Sequence, residues 1–168
     1  NVGGAWNELD ETTLNRRRLQ YAALTANIVA EKARALLDAW SPQGEHFLAE
    51  LTQAGEGSRT YGNKRVAINA ISDALGYVEW GMKENKLARP LGLMVCEEQD
   101  CSDFIEARFS RRSKEHLRNN MQGFRKLFNG CGPNGEGLGF YDYLYAMGAP
   151  NLGERIDRTA QSIVNAID

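Results

Sequence analysis

The fold is decided by residues 12–40, which read TTLNRRRLQYAALTANIVAEKARALLDAW. Apolar side chains recur here at steps of seven, three, four, seven and four residues, at Leu14, Tyr21, Leu24, Ile28, Ala35 and Ala39. These steps follow the period of an amphipathic α-helix. Ser41-Pro42 ends the helix, because a residue that precedes proline is disfavoured in helical conformation. We therefore predict one long helix with this face buried.

The rest of the chain has the same helical rhythm. Further helices are predicted around Phe47, over residues 63–86, from an N-cap at Ser113, over residues 138–147, and from a capping pair formed by Asn151 and Glu154. Residues 92–112 show no clear period and are predicted to form a long connection. Because no segment alternates as a half-buried strand does, we predict an all-α, up-and-down helical bundle.

Composition narrows the possible classes of function. The 168 residues, 42% of them hydrophobic, suit a single domain over residues 1–168. A net charge of -2 argues against a general nucleic-acid surface, which needs a basic excess to neutralise phosphates. No apolar stretch is long enough to cross a bilayer, and no secretory leader is present. Since the chain begins at Asn1 without a methionine, we expect a processed or cut product.

The three cysteines allow more than one arrangement. Cys96 and Cys101 are close enough in sequence to close a small disulfide loop in an oxidising compartment. Together with Cys131 and His116 they could nominally form a zinc site, but their spacing lacks the tight turn of zinc ribbons. A disulfide, or free thiols, is therefore the favoured interpretation.

A weak metal-binding candidate lies in the short second helix. His46 and Glu50 are four residues apart, so on a helix both would project from one face and could share a metal ion. A pair supplies only two ligands, whereas a metal site usually needs three or four. An exposed His–Glu pair on an amphipathic helix is the more common explanation of such spacing.

Four segments, in this order and spacing, resemble the C-terminal half of the imelysin family, also called peptidase family M75. They are KLARPLG at residues 86–92, EARFS at 106–110, LRNNMQGF at 117–124 and GLGFYDYL at 137–144. The opening helix that ends in Trp40-Ser41-Pro42 fits the same pattern. The resemblance runs from about residue 15 to the end of the chain.

This resemblance implies a fold and a setting. Family members are iron-regulated bacterial proteins exported to the periplasm or outer membrane, and their fold pairs two related helical bundles, of which this chain would be one. The resemblance also implies a metal ion, iron or zinc, bound mainly through a Gly-x-His-x-x-Glu motif in the other half. Gly44 and His46 match the start of that motif, but Ala49 stands at its acidic position and Glu50 comes one residue late.

In such an arrangement this chain would form one wall of a cleft between bundles. Five polar residues within the matching segments are candidates to bind a ligand there: Glu106, Ser110, Arg89, Asn120 and Ser113. Glu106 could act as a carboxylate ligand or acid–base group, Ser110 and Asn120 as hydrogen-bond donors, and Arg89 as the partner of an anion. Each also has a structural explanation: Ser113 as a helix cap, Asn120 as a tether, and Arg89 as a cation at a helix C-terminus.

Three functions remain open from the sequence. The first is a ligand-binding module for iron acquisition, whose partners would be the N-terminal half or a homologous bundle, and iron-transport components. The second is a metallopeptidase, which the family name implies, although no nucleophile–base spacing supports it in this chain. The third is a structural bundle whose aromatic residues contact a partner protein.

Overall fold

The computed structural model describes residues 8–95, 101–132 and 137–167. Within these ranges the chain forms helices and turns and no strand, which confirms the predicted all-α fold. None of the described helices is long and apolar enough to cross a membrane. The chain divides into two compact units, residues 1–68 and 69–168. We describe each unit by itself, and one domain over residues 1–168 stays a prediction.

The first unit is dominated by one long helix, α1 (Glu11–Trp40). Asp10 caps it, since its Oδ1 accepts a hydrogen bond of 2.9 Å from the backbone N–H of Thr13. A short helix, α2 (Phe47–Thr52), follows the turn at Pro42 as predicted. The ring of Phe47 meets Trp40 edge to face, with 5.1 Å between ring centroids.

The buried face predicted for α1 is not formed within the first unit. No residue of α1 is buried, and Tyr21, Leu24 and Ile28 are each about half exposed or more. The helical period was therefore read correctly, whereas the burial inferred from it was wrong. A period shows that a helix has an apolar side, but it does not show what covers that side.

The helix predicted over residues 63–86 is two elements rather than one. α3 (Lys64–Leu75) ends at Gly76, whose N–H donates to the carbonyl of Asp73 in a tight turn. A π-helical segment (Val78–Ala88) then continues the chain with wider turns. At its end the backbone N–H of Arg89 donates to the carbonyl of Glu84, five residues earlier, at 2.9 Å.

The second unit packs this π-helical segment against three further helices: α4 (Ser113–Asn129), α5 (Phe140–Ala146) and α6 (Pro150–Ile167). A short 3₁₀ turn (Cys101–Phe104) lies in the connection before α4. The core consists of Met82, Leu117, Met121 and Ala160, with the flanking side chains of Tyr77, Val78, Phe124, Val164 and Ile167. Leu127, Leu152 and Ile163 lie on α4 and α6 as well, but they are partly exposed.

Two predicted helix caps are wrong. α4 begins at Ser113 itself, with Arg112 in the cap position, so the Ser113 hydroxyl is free to accept from the N–H of Ala107 at 3.3 Å. α6 begins at Pro150 instead of after Asn151. Proline suits the first turn of a helix because the N–H that it lacks would have no helical partner there.

We predict that Met121→Ala lowers the free energy of unfolding by about 2–5 kcal/mol, because Met121 is 1% exposed in the core and its loss leaves a cavity. Urea denaturation followed by circular dichroism measures this. Met147→Ala, at a position 66% exposed, is the matched control and should change stability by less than about 0.5 kcal/mol. Equal effects of the two substitutions would contradict the assigned core.

Candidate functional site

The candidate site is built on the π-helical segment. Tyr77 and Lys86 are nine residues apart, and Lys86 Nζ lies 5.8 Å from the centroid of the Tyr77 ring. An α-helix would put these residues on opposite sides, since nine residues are two and a half of its turns. With roughly 4.4 residues per turn, a π-helix completes about two turns over this distance and brings them to the same side.

Gly81 makes room for this arrangement. It is buried, and a methyl group at this position would overlap the ring atoms of Tyr77. The absence of a side chain therefore lets the tyrosine ring approach the backbone at Gly81 closely, about one π-helical turn before Lys86. Tyr77 also meets Trp80 edge to face, with 5.4 Å between ring centroids.

Lys86 is the centre of a polar cluster that joins three parts of the second unit. Its Nζ lies 3.0 Å from Glu106 Oε1, in the connection before α4, and 3.3 Å from Asn120 Oδ1 on α4. Glu106 Oε2 lies 3.5 Å from His116 Nδ1, one turn before Asn120. We call Tyr77, Lys86, Glu106, His116 and Asn120 the Glu106 cluster.

Exposure differs sharply within the Glu106 cluster. The side chain of Lys86 is only 15% exposed, whereas those of Glu106 and His116 are 38% and 44% exposed. The ammonium group is therefore enclosed by its partners, and the carboxylate and the imidazole form the surface that a ligand could reach. A carboxylate accepts hydrogen bonds, and an imidazole donates or accepts them according to its protonation state.

The environment of Lys86 favours its charged form. Partial burial opposes the charge, but the hydrogen bonds to Glu106 and Tyr77 and the charge of Glu106 outweigh burial and raise the pKa of Lys86 above 10.5. A raised folded-state pKa stabilises the protein at pH values below 10.5, and this contribution is lost as the pH rises through the folded-state pKa. Lys86 is thus a positive anchor for Glu106 throughout the physiological range.

The structure brings together only some of the residues predicted from sequence. Glu106 and Asn120 meet through Lys86, as described above. The Ser113 hydroxyl accepts from the backbone one residue after Glu106 and so supports the connection that carries this carboxylate. Ser110 donates weakly to the carbonyl of Ala107 at 3.4 Å and is not among the partners of Lys86 described above. Arg89 lies over the ring of Phe104, 5.2 Å from its centroid.

Sequence analysis did not single out Lys86, Tyr77 or the pairing of His116 with Glu106. Lys86 is the first residue of the KLARPLG segment. A lysine on a helix is usually exposed to solvent, so its position alone did not indicate a site residue. The signal that could have found it is the nine-residue spacing from Tyr77 together with Gly81, and this spacing has meaning only in a π-helix. Glu106 and His116 are ten positions apart in sequence, and this spacing carries no periodic signal because part of the connection before α4 separates them.

The weak metal candidates His46 and Glu50 do not share a helix face. α2 begins at Phe47, and His46 precedes it in a left-handed conformation with φ of 54°. Glu50 forms hydrogen bonds with the loop that follows α2. Its Oε2 accepts from Ser58 Oγ and from the backbone N–H groups of Arg59 and Thr60, at 2.8, 2.8 and 2.9 Å. The carboxylate therefore holds the loop in place.

The cysteines are only partly within the described residues. Cys101 is disulfide-bonded, and Cys131 is an exposed free thiol. Cys96 lies outside the described residues, so its pairing with Cys101 stays a prediction. Across residues 8–95, 101–132 and 137–167, no three His, Cys, Asp or Glu side chains are grouped closely enough to hold a metal ion. Glu106 and His116 are metal-ligating residue types, but two such side chains do not form a complete metal site.

A second polar network in this unit has a structural explanation. Asp157 on α6 accepts from the Arg125 guanidinium at 3.2 Å and from Asn129 Nδ2 at 2.6 Å, both on α4. Arg125 also donates to Gln161, one turn further along α6. These bonds hold α4 against α6 along the edge of the core. The guanidinium of Arg125 and the carboxylate of Asp157 are thereby paired with each other.

We predict that Glu106→Gln lowers the pKa of Lys86, because it removes the negative charge that outweighs partial burial. A carbon-13 NMR titration of the lysine Cε signals measures this. Glu79→Gln is the matched control, since Glu79 pairs with Lys83 on the same π-helical segment and raises the pKa of that lysine instead. A Lys86 pKa that is unchanged by Glu106→Gln would contradict the contact.

We predict that the first unit loses stability in acid partly through Glu50. Its hydrogen bonds with Ser58 and Thr60 lower the pKa of Glu50 below 4.5. A lowered folded-state pKa stabilises the protein above the unfolded-state value, and this contribution disappears as the pH falls through the folded-state pKa. Thermal unfolding between about pH 6 and pH 3 should therefore show a smaller acid-induced loss for Glu50→Gln than for wild type. The exposed Glu45→Gln control should behave as wild type.

Comparison with known proteins identifies the family. A family model for imelysin, peptidase family M75, matches residues 6–168. No curated protein and no solved structure matches the chain significantly. The family match covers nearly all of the 168 residues, including every residue of the Glu106 cluster. The chain therefore belongs to the imelysin family.

Proposed function

We propose that this chain is a ligand-binding module of an imelysin-like protein, that it acts in iron acquisition in the periplasm or at the outer membrane, and that it does so without catalysing a reaction. Within this proposal, the Glu106 cluster is part of the ligand-binding surface, on one wall of a cleft between two helical bundles. The iron context comes from the family resemblance, and the surface comes from the geometry of the cluster.

The observation that supports ligand binding is the contrast in exposure between Lys86 and its partners. An enclosed ammonium group holds one oxygen of Glu106, and the rest of that carboxylate and the His116 imidazole remain open. Because Lys86 already holds the Glu106 carboxylate in place, this side chain would lose less conformational entropy on binding a ligand.

The chemistry of the open side suits a polar ligand that brings further groups of its own. Carboxylate and imidazole are ligands that iron and zinc both accept in proteins. Because the cluster supplies only these two, the proposal assigns the remaining coordination to the ligand, such as a chelated iron ion, or to the second bundle. Asn120 and Lys86 would position Glu106 and would not touch the metal ion.

Isothermal titration of the purified chain with Zn²⁺ and with ferric citrate tests this proposal. We expect at least one of the two probes to bind, and Glu106→Ala to weaken that binding by about tenfold or more, since loss of a ligand or its support has effects of this order. Glu79→Ala, on the same π-helical segment but outside the cluster, should bind as wild type.

Two results would overturn the proposal. If neither probe binds, or if binding is unaffected by Glu106→Ala, the cluster is not the ligand-binding surface. Peptide cleavage that a chelator abolishes would replace the proposal with a metallopeptidase function.

A further inference from the structure

We propose that the second unit contains a binding site for a small organic cation with a primary ammonium group, in a pocket where α4, α5 and α6 meet. This pocket is separate from the Glu106 cluster and shares no residue with it. Its evidence is a set of hydrogen-bond acceptors that lack donors, together with a carboxylate that lacks a counter-charge.

The pocket is built entirely within the second unit. Its volume is about 510 Å³, which is within the range of small-molecule sites. The residues that line it are Asn129 at the end of α4, Tyr141 and Asp142 on α5, and Glu154, Asp157 and Arg158 on α6. We call it the Asp142 pocket.

One negative charge of the Asp142 pocket is not balanced. Asp157 is paired with Arg125 at 3.2 Å, and Glu154 lies 3.8 Å from the guanidinium of Arg158. Asp142 forms no ion pair with any residue that the structure describes. The unbalanced carboxylate favours a cationic ligand over a neutral or anionic one.

Two neutral acceptors of the Asp142 pocket also lack a donor. Asn129 Nδ2 donates to Asp157 Oδ1 at 2.6 Å, and this contact identifies which end of the amide carries the oxygen. Asn129 Oδ1 is buried and has no hydrogen-bond partner within the described residues. The Tyr141 hydroxyl likewise forms no hydrogen bond that the structure records in the described part of the chain.

An unpaired buried acceptor is unfavourable, so a ligand that supplies a donor for Asn129 gains affinity. Because Oδ1 is covered, its use by a ligand requires a small turn of the amide toward the pocket.

The contacts of α5 hold the other two groups in place. The backbone N–H of Gly139 donates to Asp142 Oδ2 at 2.9 Å, which leaves Oδ1 for a ligand. The Tyr141 ring meets Phe128 edge to face, with 6.4 Å between ring centroids. The same ring packs on the buried Gly153, where an added Cβ would lie 3.1 Å from a ring atom. Groups that are already fixed lose less conformational entropy on binding.

A primary ammonium group matches these three acceptors. It carries one positive charge and three N–H donors, one each for Asp142, Asn129 and Tyr141. A bare metal ion fits less well. Across residues 8–95, 101–132 and 137–167, no three His, Cys, Asp or Glu side chains are close enough together to bind one.

An NMR titration of the nitrogen-15-labelled full chain tests the proposal with n-butylammonium, butan-1-ol and butyrate. These probes share a short alkyl chain and differ in charge. We expect only n-butylammonium to give saturable shifts of the backbone amide signals of Gly139 and Gly153. Gly139 donates to Asp142 and Gly153 packs on Tyr141, so the two signals report on both sides of the pocket.

Conservative variants assign the individual contacts. Asp142→Asn removes the charge but keeps an acceptor for the Gly139 N–H, and it should weaken n-butylammonium binding about tenfold or more. Tyr141→Phe keeps the ring and removes the hydroxyl, so we expect binding to weaken about two- to tenfold. Asp73→Asn, on α3 outside the pocket, and Glu106→Ala should both bind as wild type.

Four results would overturn the proposal. In three of them, n-butylammonium gives no saturable shift, butan-1-ol shifts the same signals as strongly, or Asp142→Asn binds n-butylammonium as tightly as wild type. The fourth uses Zn²⁺ and Ca²⁺ as further probes. Saturable shifts of these signals by either ion, without any from n-butylammonium, would assign the Asp142 pocket to a metal ion instead.

Discussion

The second unit depends on the apolar cluster of Met82, Leu117, Met121 and Ala160. These side chains come from the π-helical segment, α4 and α6, so their burial brings three elements together that are distant in sequence. The polar residues are positioned by the same contacts. His116 immediately precedes Leu117, Asn120 immediately precedes Met121, and Lys86 follows Met82 by about one π-helical turn. Lys86, His116 and Asn120 are therefore each held near a buried anchor.

The change from α-helix to π-helix after Gly76 decides which side chains share a face. Had residues 63–86 formed one α-helix, Tyr77 and Lys86 would lie on opposite sides of it, and the contact between them would be lost. Wider turns are unfavourable in isolation and are seen mostly as short insertions, frequently at functional sites. Here the buried Met82 and the close packing of Tyr77 on Gly81 provide contacts that offset this cost.

Sequence periodicity predicted the helices well and their surroundings poorly. The periods of α1 and α4 are long and regular, so both helices were placed within a residue of their observed starts. Gly76 did not predict a break in the helix over residues 63–86, because a single glycine is tolerated within a helix. Tyr21, Leu24 and Ile28 of α1 lie at helical spacing, which led to the prediction of a buried face, but spacing alone does not specify what covers these side chains.

Predicting the candidate site required knowledge of tertiary contacts. Glu106 and Asn120 were found from the family resemblance, yet the group that joins them is Lys86. Burying a lysine with a glutamate contributes little net stability, since the loss of hydration offsets much of the attraction. Stability alone therefore does not account for an ammonium group enclosed by Glu106, Asn120 and Tyr77 while His116 remains open. In the proposed function, positioning of the carboxylate would account for both features, because a fixed charge behind Glu106 would leave its outer side open to a ligand.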